Sequence, residues 1–161
     1  CKSLKTLRPD EKVMSGLSIM RNRLLTSRSI DEKWSLKLGQ GKLQDIELFS
    51  QMGILLSNEN ISGVHSGLMT LKKLKKICAE DLNYLISTYD LLLNVQILSK
   101  LLLKEDIKDG ELGANGKDLF LKHTDTSSIP LLIEKIAEMT SKSATIISNS
   151  LPNPKEVYDE R

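Results

Sequence analysis

Between Ile61 and Leu103 the apolar residues keep a helical spacing more regular than anywhere else in the chain, and this stretch restricts the fold to helices packed on helices. Ile61, Val64, Leu68, Leu71, Leu74 and Cys78 follow at intervals of three and four, which puts all six on one stripe of a helix. Lys72, Lys73, Lys75 and Lys76 fall on the other side, so the helix has one wet and one buried face. Beyond Cys78, Glu80 and Asp81 place negative charge where a helix N-terminus favours it, and Leu82, Leu85 and Ile86 make the inner face of a short second helix. Ser87 or Thr88 then offers a side-chain oxygen as N-cap for a third helix, Tyr89 to about Leu102. Leu91, Leu92, Leu93, Val95, Ile97, Leu98, Leu101 and Leu102 go more than halfway round that cylinder, which predicts a central helix touched on several sides.

The flanks are read by the same periodicity. In residues 1–41, Val13, Leu17, Met20 and Leu24 suit an amphipathic helix between polar, Ser- and Lys-rich flanks, so the segment is expected to be a linker or loosely attached helix. Trp34 either anchors that linker or touches a partner. Gly39 and Gly41 punctuate the chain before Lys42. Leu43, Ile46, Phe49 and Met52 then recur every three residues, giving a helix that ends near Leu56. The polar run from Ser57 to Asn60 reads as a turn in which Ser57 or Asn60 caps an adjacent helix end. After Leu103 the periodicity is lost. Gly110, Gly113 and Gly116 each disfavour a helix by roughly 1 kcal/mol relative to alanine, so a loop is expected before a short helix around Asp118 to Lys122 with Leu119, Phe120 and Leu121 buried. Ser127, Ser128 and Pro130 make a sound helix start, with Leu132, Ile136, Met139 and Ile147 on one side as far as about Ser148; Pro152 and Pro154 end it.

These readings predict an all-α fold: a compact bundle of four to five helices at 42–123, a further C-terminal helix at 124–150, a loose N-terminal segment at 1–41 and a tail at 151–161. Within 161 residues, 40% hydrophobic content supports one modest, mostly aliphatic core. A net charge of +2 gives no global electrostatic case for nucleic acid or an anionic membrane, and no apolar run approaches the roughly 20 residues of a bilayer span. Cys1 and Cys78 are not a disulfide framework.

Chemistry is sparse. His65 and His123 lack metal-ligand spacing to each other or to a cysteine. The acidic neighbours Glu80–Asp81 and Glu105–Asp106 point in different directions on a helix and cannot share one substrate. The three spaced glycines lack the preceding strand and following Lys-Ser or Lys-Thr of a phosphate cradle. There is no nucleophile elbow and no cysteine with a histidine nearby in sequence to activate it. No catalytic, metal or cofactor residue is expected, and the lysines of 72–76 read as a solvated face.

The run Leu71-x-x-Leu74-x-x-Ile77-x-Ala79-Glu80, with Leu85, then Thr88-Tyr89-Asp90-Leu91-Leu92 and a further aliphatic helix, resembles the integrase-binding domain of lens epithelium-derived growth factor and the hepatoma-derived growth factor-related proteins. That domain is similar in turn to the helical N-terminal domain of elongation factor TFIIS. Lys42-Leu43-Gln44 and Asn60 to Leu71 fit its first helix, first loop and second helix, so the resemblance covers roughly Lys42 to His123, with one residue inserted between Leu85 and Asp90. It implies a nuclear, non-catalytic module of a chromatin or transcription adaptor that grips short linear motifs of disordered partners with two interhelical loops. Carried onto this chain, the first loop is Asn58-Glu59-Asn60, where Asn60 stands in place of the family's acidic residue with Glu59 one step away. In the second loop the family's apolar contacts match Leu101 and Leu103, with leucine where the family has an aromatic. The glycines at 110, 113 and 116 depart from its regular final helix.

One partner side chain buried against two leucines contributes about 1.5–3 kcal/mol, and a charge-assisted hydrogen bond from Glu59 about as much again, which after association costs leaves a weak or moderate complex. The rival expectations are a surface or scaffold bundle anchored in a membrane by a lipid on Cys1, and a structural subunit whose apolar helices are completed by another chain.

Overall fold

Leu43, Ile46, Phe49 and Met52 all face inward, as their three-residue spacing requires, on one of six helices in the computed structural model, which describes residues 10–26, 36–57, 60–102 and 114–152. The helices are α1 (Asp10–Thr26), α2 (Leu43–Leu56), α3 (Val64–Lys73), α4 (Ala79–Leu102), α5 (Ala114–Thr124) and α6 (Ile129–Ser150), and the described residues hold no strand. The protein is an all-helical, compact bundle. Trp34, Cys1 and the tail beyond Pro152 lie outside the described residues.

The larger core cluster draws Val13 and Leu17 from α1, Ile46, Phe49 and Met52 from α2, Leu68 and Leu71 from α3, Leu82 and Leu85 from α4, and Ile146 and Ile147 from α6. A smaller cluster gathers Val95, Phe120 and Leu132 from α4, α5 and α6. One core therefore runs across the boundaries expected at 41/42 and 123/124. α4 serves both clusters and packs on α2, α3, α5 and α6, the central position its apolar content predicts. Its 24 residues span about 36 Å.

Four local expectations are corrected. First, α3 stops at Lys73 instead of running on to Cys78: Leu74 N–H donates to Thr70 O, Lys75 takes a left-handed φ of 57°, and Lys76 N–H reaches back to Leu71 O at 2.9 Å. This is the bond pattern of a Schellman stop, with lysine where glycine is favoured. The turn changes which side chains face the core, so Ile77 is buried while Leu74 is 40% exposed and Cys78 lies at the surface.

Second, the expected helices on either side of Ser87 are one. Thr88 caps nothing: its hydroxyl donates to Tyr84 O at 2.9 Å and accepts from the buried Ser143 of α6 at 3.1 Å, so it is satisfied inside the helix. At the true start of α4, Cys78 Sγ accepts the Asp81 N–H at 3.3 Å.

Third, α3 is preceded by Gly63 at its N-cap, with no side-chain cap, so Asn60 has no such role; Ser57 caps the end of α2 through its backbone N–H. Fourth, α5 is longer than Asp118 to Lys122 and contains Gly116. The glycine cost is offset by full burial of Phe120, although Leu119 stays 38% exposed. Lys135 Nζ donates to the Thr124 carbonyl at the end of α5, a favourable site for a cation. The start of α6 agrees with expectation: Ser128 Oγ accepts from Leu131 N–H, and Pro130 lies in the first turn.

The turn before α2 is tied down from two sides. Leu36 O and Lys37 O accept the N–H groups of Leu43 and Gln44, which would otherwise be orphans of the first helical turn. Gly41 has φ +68° and lies against α6 so closely that a methyl group there would land on the carbonyl oxygen of Thr140.

Candidate functional site

Of the residues expected to bind a partner, Asn58, Glu59 and Leu103 lie outside the described residues. Asn60 is exposed ahead of α3, and Leu101, in the last turn of α4, is 76% exposed. The register between the helices comes from His65, whose Nε2 lies 2.8 Å from Asp90 Oδ1, so the head of α3 sits beside the middle of α4. Leu101 is three helical turns beyond Asp90, about 16 Å along the axis. Of the expected groove the described residues therefore hold Asn60 and Leu101 alone.

The character of α4 changes along its length. Leu82, Leu85, Thr88, Leu92, Val95 and Ser99 form a continuous buried stripe. In the last turns Ile97, 47% exposed, and Leu101 lie four residues apart on a second apolar stripe that faces outward. Lone exposed leucines are ordinary on protein surfaces, but here two large aliphatics stack on one helix face beside Lys100.

A polar cluster lies halfway along α4. His65 and Asp90 form a half-exposed pair, the His65 ring meets Tyr89 edge-on with centroids 6.1 Å apart, and the Tyr89 hydroxyl donates to Glu47 Oε1 at 3.3 Å. The cluster ties α2, α3 and α4 together, and in the described geometry His65 Nε2 is taken up by the carboxylate rather than by a nucleophile. Burial, and after it the negative charge of Glu47, holds the Tyr89 phenol above its ordinary value of 10.0. The folded state favours the protonated phenol, so this contribution to stability is complete below the unfolded value and is lost as pH rises through the folded one. Glu47→Gln should lower the pH at which Tyr89 ionises, read as the phenolate absorbance in an alkaline titration in a background carrying Tyr84→Phe and Tyr158→Phe, which leaves Tyr89 as the one tyrosine of the sequence. The background matters because the other two phenols would absorb in the same titration, and burial and Glu138 also raise Tyr84, whose ring carries Lys142 Nζ at 4.2 Å.

The residues that sequence reasoning missed are Arg21 and Asp45. Asp45 Oδ1 accepts Arg21 Nε at 2.6 Å, and Oδ2 accepts both Arg21 Nη2 at 2.9 Å and the Gly41 N–H at 2.7 Å. Arg21 Nη1 donates to Ser148 Oγ at 3.0 Å, so one ion pair joins α1, α2, the 39–41 turn and α6. A small, partly open pocket beside the pair, with about 30 Å³ of inner space, is lined by Leu24, Leu38 and Leu48 and has room for a water or two. A shallow depression of about 460 Å³ on α6 is lined by small side chains such as Ala137, Ser141 and Ala144. Among the described residues no three His, Cys, Asp or Glu side chains are placed to hold a metal, and no helix is long and apolar enough to cross a membrane.

No family model matches the chain, and comparisons with curated proteins and with solved structures find no significant match. Fold and surface define a small all-helical domain with one central helix whose C-terminal turns present an apolar stripe. The resemblance to the integrase-binding domain rests on the residues quoted for it above.

Proposed function

We propose that the chain is a non-catalytic interaction module of an adaptor, and that it takes a short apolar motif of a disordered partner onto the end of α4. The observation that supports this reading is Leu101: three-quarters exposed, paired with Ile97 on one stripe, at the position where the resembled family places a ligand contact. A nuclear setting in chromatin or transcription is proposed on that resemblance alone. One motif side chain laid on Ile97 and Leu101 gains about 1.5–3 kcal/mol, which fits regulated exchange better than permanent assembly.

The test is an unbiased pull-down with the full chain, followed by titration of the recovered peptide against the protein and its Leu101→Asp variant. The carboxylate should abolish binding, and helical content by circular dichroism should be unchanged, because this side chain lies mostly in solvent. Equal affinity of the two proteins would remove α4 as the docking site.

A further inference from the structure

The turn between α3 and α4 joins two features that a solvated helix end alone does not explain. Lys72, Lys73 and Lys75 are exposed and Lys76 is half-buried, four cations within five residues at the C-terminus of α3. The helix dipole accounts for cations there. It does not account for Leu74, which is 40% exposed among the same lysines at the edge of the buried stripe of Leu68 and Leu71; Met69, 52% exposed, lies one turn before Lys72 and Lys73 on another side of α3. Lys76 is paired with Asp10 at 3.1 Å, whereas Lys72, Lys73 and Lys75 form no ion pair with a described residue. The nearest acids in sequence, Glu80 and Asp81, belong to the first turn of α4. Lys75 holds its left-handed φ of 57° within a hydrogen-bonded stop, so the leucine and the lysines are presented by a structured turn.

We propose that this turn is a docking surface for an anionic lipid membrane, with Leu74 entering the interface and the lysines at the headgroup level. Basic side chains around exposed aliphatics fit an interfacial contact. A nucleic acid would use the charges but has no use for the leucine, and no aromatic ring stands among the lysines to stack a base. The turn lies at the opposite end of α4 from Leu101, so the surface is independent of the motif-binding reading. Docking here would place the module at a membrane and count against the chromatin setting without affecting the α4 site.

The test is co-sedimentation of the full chain with phosphatidylcholine vesicles, with and without phosphatidylserine, at low and high salt. The protein should partition onto the phosphatidylserine vesicles and be released by salt. Each lysine contributes about fivefold to partition near an anionic surface, so Lys72→Gln with Lys73→Gln should weaken it about 25-fold. Leu74→Ser should weaken it about tenfold with no change in charge. Lys75→Gly removes a charge while suiting the left-handed backbone, and should cost about fivefold in partition with thermal stability kept or raised. Equal partition onto the two vesicle types overturns the proposal. So does vesicle binding indifferent to Leu74→Ser, or a DNA duplex bound with the same lysine dependence and no leucine dependence, which would mark a general polyanion surface.

Discussion

Asp45→Ala is expected to lower the free energy of unfolding by about 3–5 kcal/mol, because it leaves the Arg21 guanidinium buried without its counter-ion. The Asp45 side chain is 3% exposed and that of Arg21 12%, and the small pocket beside them holds too little water to replace the paired bonds of the carboxylate. The carboxylate also accepts the Gly41 N–H, which would be left without its partner inside the turn before α2. For a chain of this size the loss corresponds to roughly 10 °C in melting temperature. Arg21→Met with Asp45→Leu should be far less damaging than Asp45→Ala, since replacing both charges with apolar groups removes the desolvation cost along with the attraction. Urea unfolding of wild type, both single alanine variants and the double alanine variant gives the coupling energy directly. Additive losses would mean the two side chains act independently.

This pair also shows where sequence reasoning ends. The apolar faces were legible because burial is periodic: Leu43, Ile46, Phe49 and Met52 on α2, and Leu82 and Leu85 on α4, lie where their spacing puts them. Ser128 with Pro130 was legible because capping is local. The stop of α3 was not, because the apolar stripe continues through Leu74 and Cys78 while the break depends on Lys75 adopting a backbone that glycine usually marks. Thr88 misled for a related reason. A hydroxyl between two apolar runs suggests a cap, and only a partner on α6, Ser143, makes it a buried helix-interior residue. Arg21 and Asp45 carry no signal at all, since an acid in a first helical turn and a basic residue on an amphipathic helix are ordinary until the fold brings them to 2.6 Å. The exposure of Leu101 carries no signal in the sequence, because an exposed leucine on a leucine-rich helix is indistinguishable by periodicity from a buried one.

Gly→Ala substitutions should have opposite signs at positions that look alike in sequence. Gly16, Gly53 and Gly67 all lie inside helices, where alanine is preferred by about 0.8–1 kcal/mol. Gly16 is exposed on α1 and a methyl group there meets nothing within 4 Å, so Gly16→Ala should stabilise the protein by about that amount. Gly53 and Gly67 face each other where α2 and α3 cross, the most extensive helix pair in the structure. A methyl group at Gly53 would land on the Gly67 carbonyl oxygen, and one at Gly67 on the Ser50 carbonyl oxygen. Backbone cannot step aside as a flexible side chain can, so the helices must separate, and separation opens the layer formed by Phe49, Met52, Leu68 and Leu71. Overpacking of this kind costs about 1–3 kcal/mol and more where backbone is the obstacle, which exceeds the propensity gain. Gly67→Ala should therefore destabilise by about 3 kcal/mol, and Gly53→Ala by a similar amount. The two together should cost less than the sum, because the first separation accommodates the second methyl. Thermal and urea unfolding of the three single variants and the Gly53–Gly67 double variant decide it. A stabilised Gly67→Ala would mean that α2 and α3 do not approach through their backbones, and would remove the contact that sets the position of α3, and with it the α3–α4 turn, on the bundle.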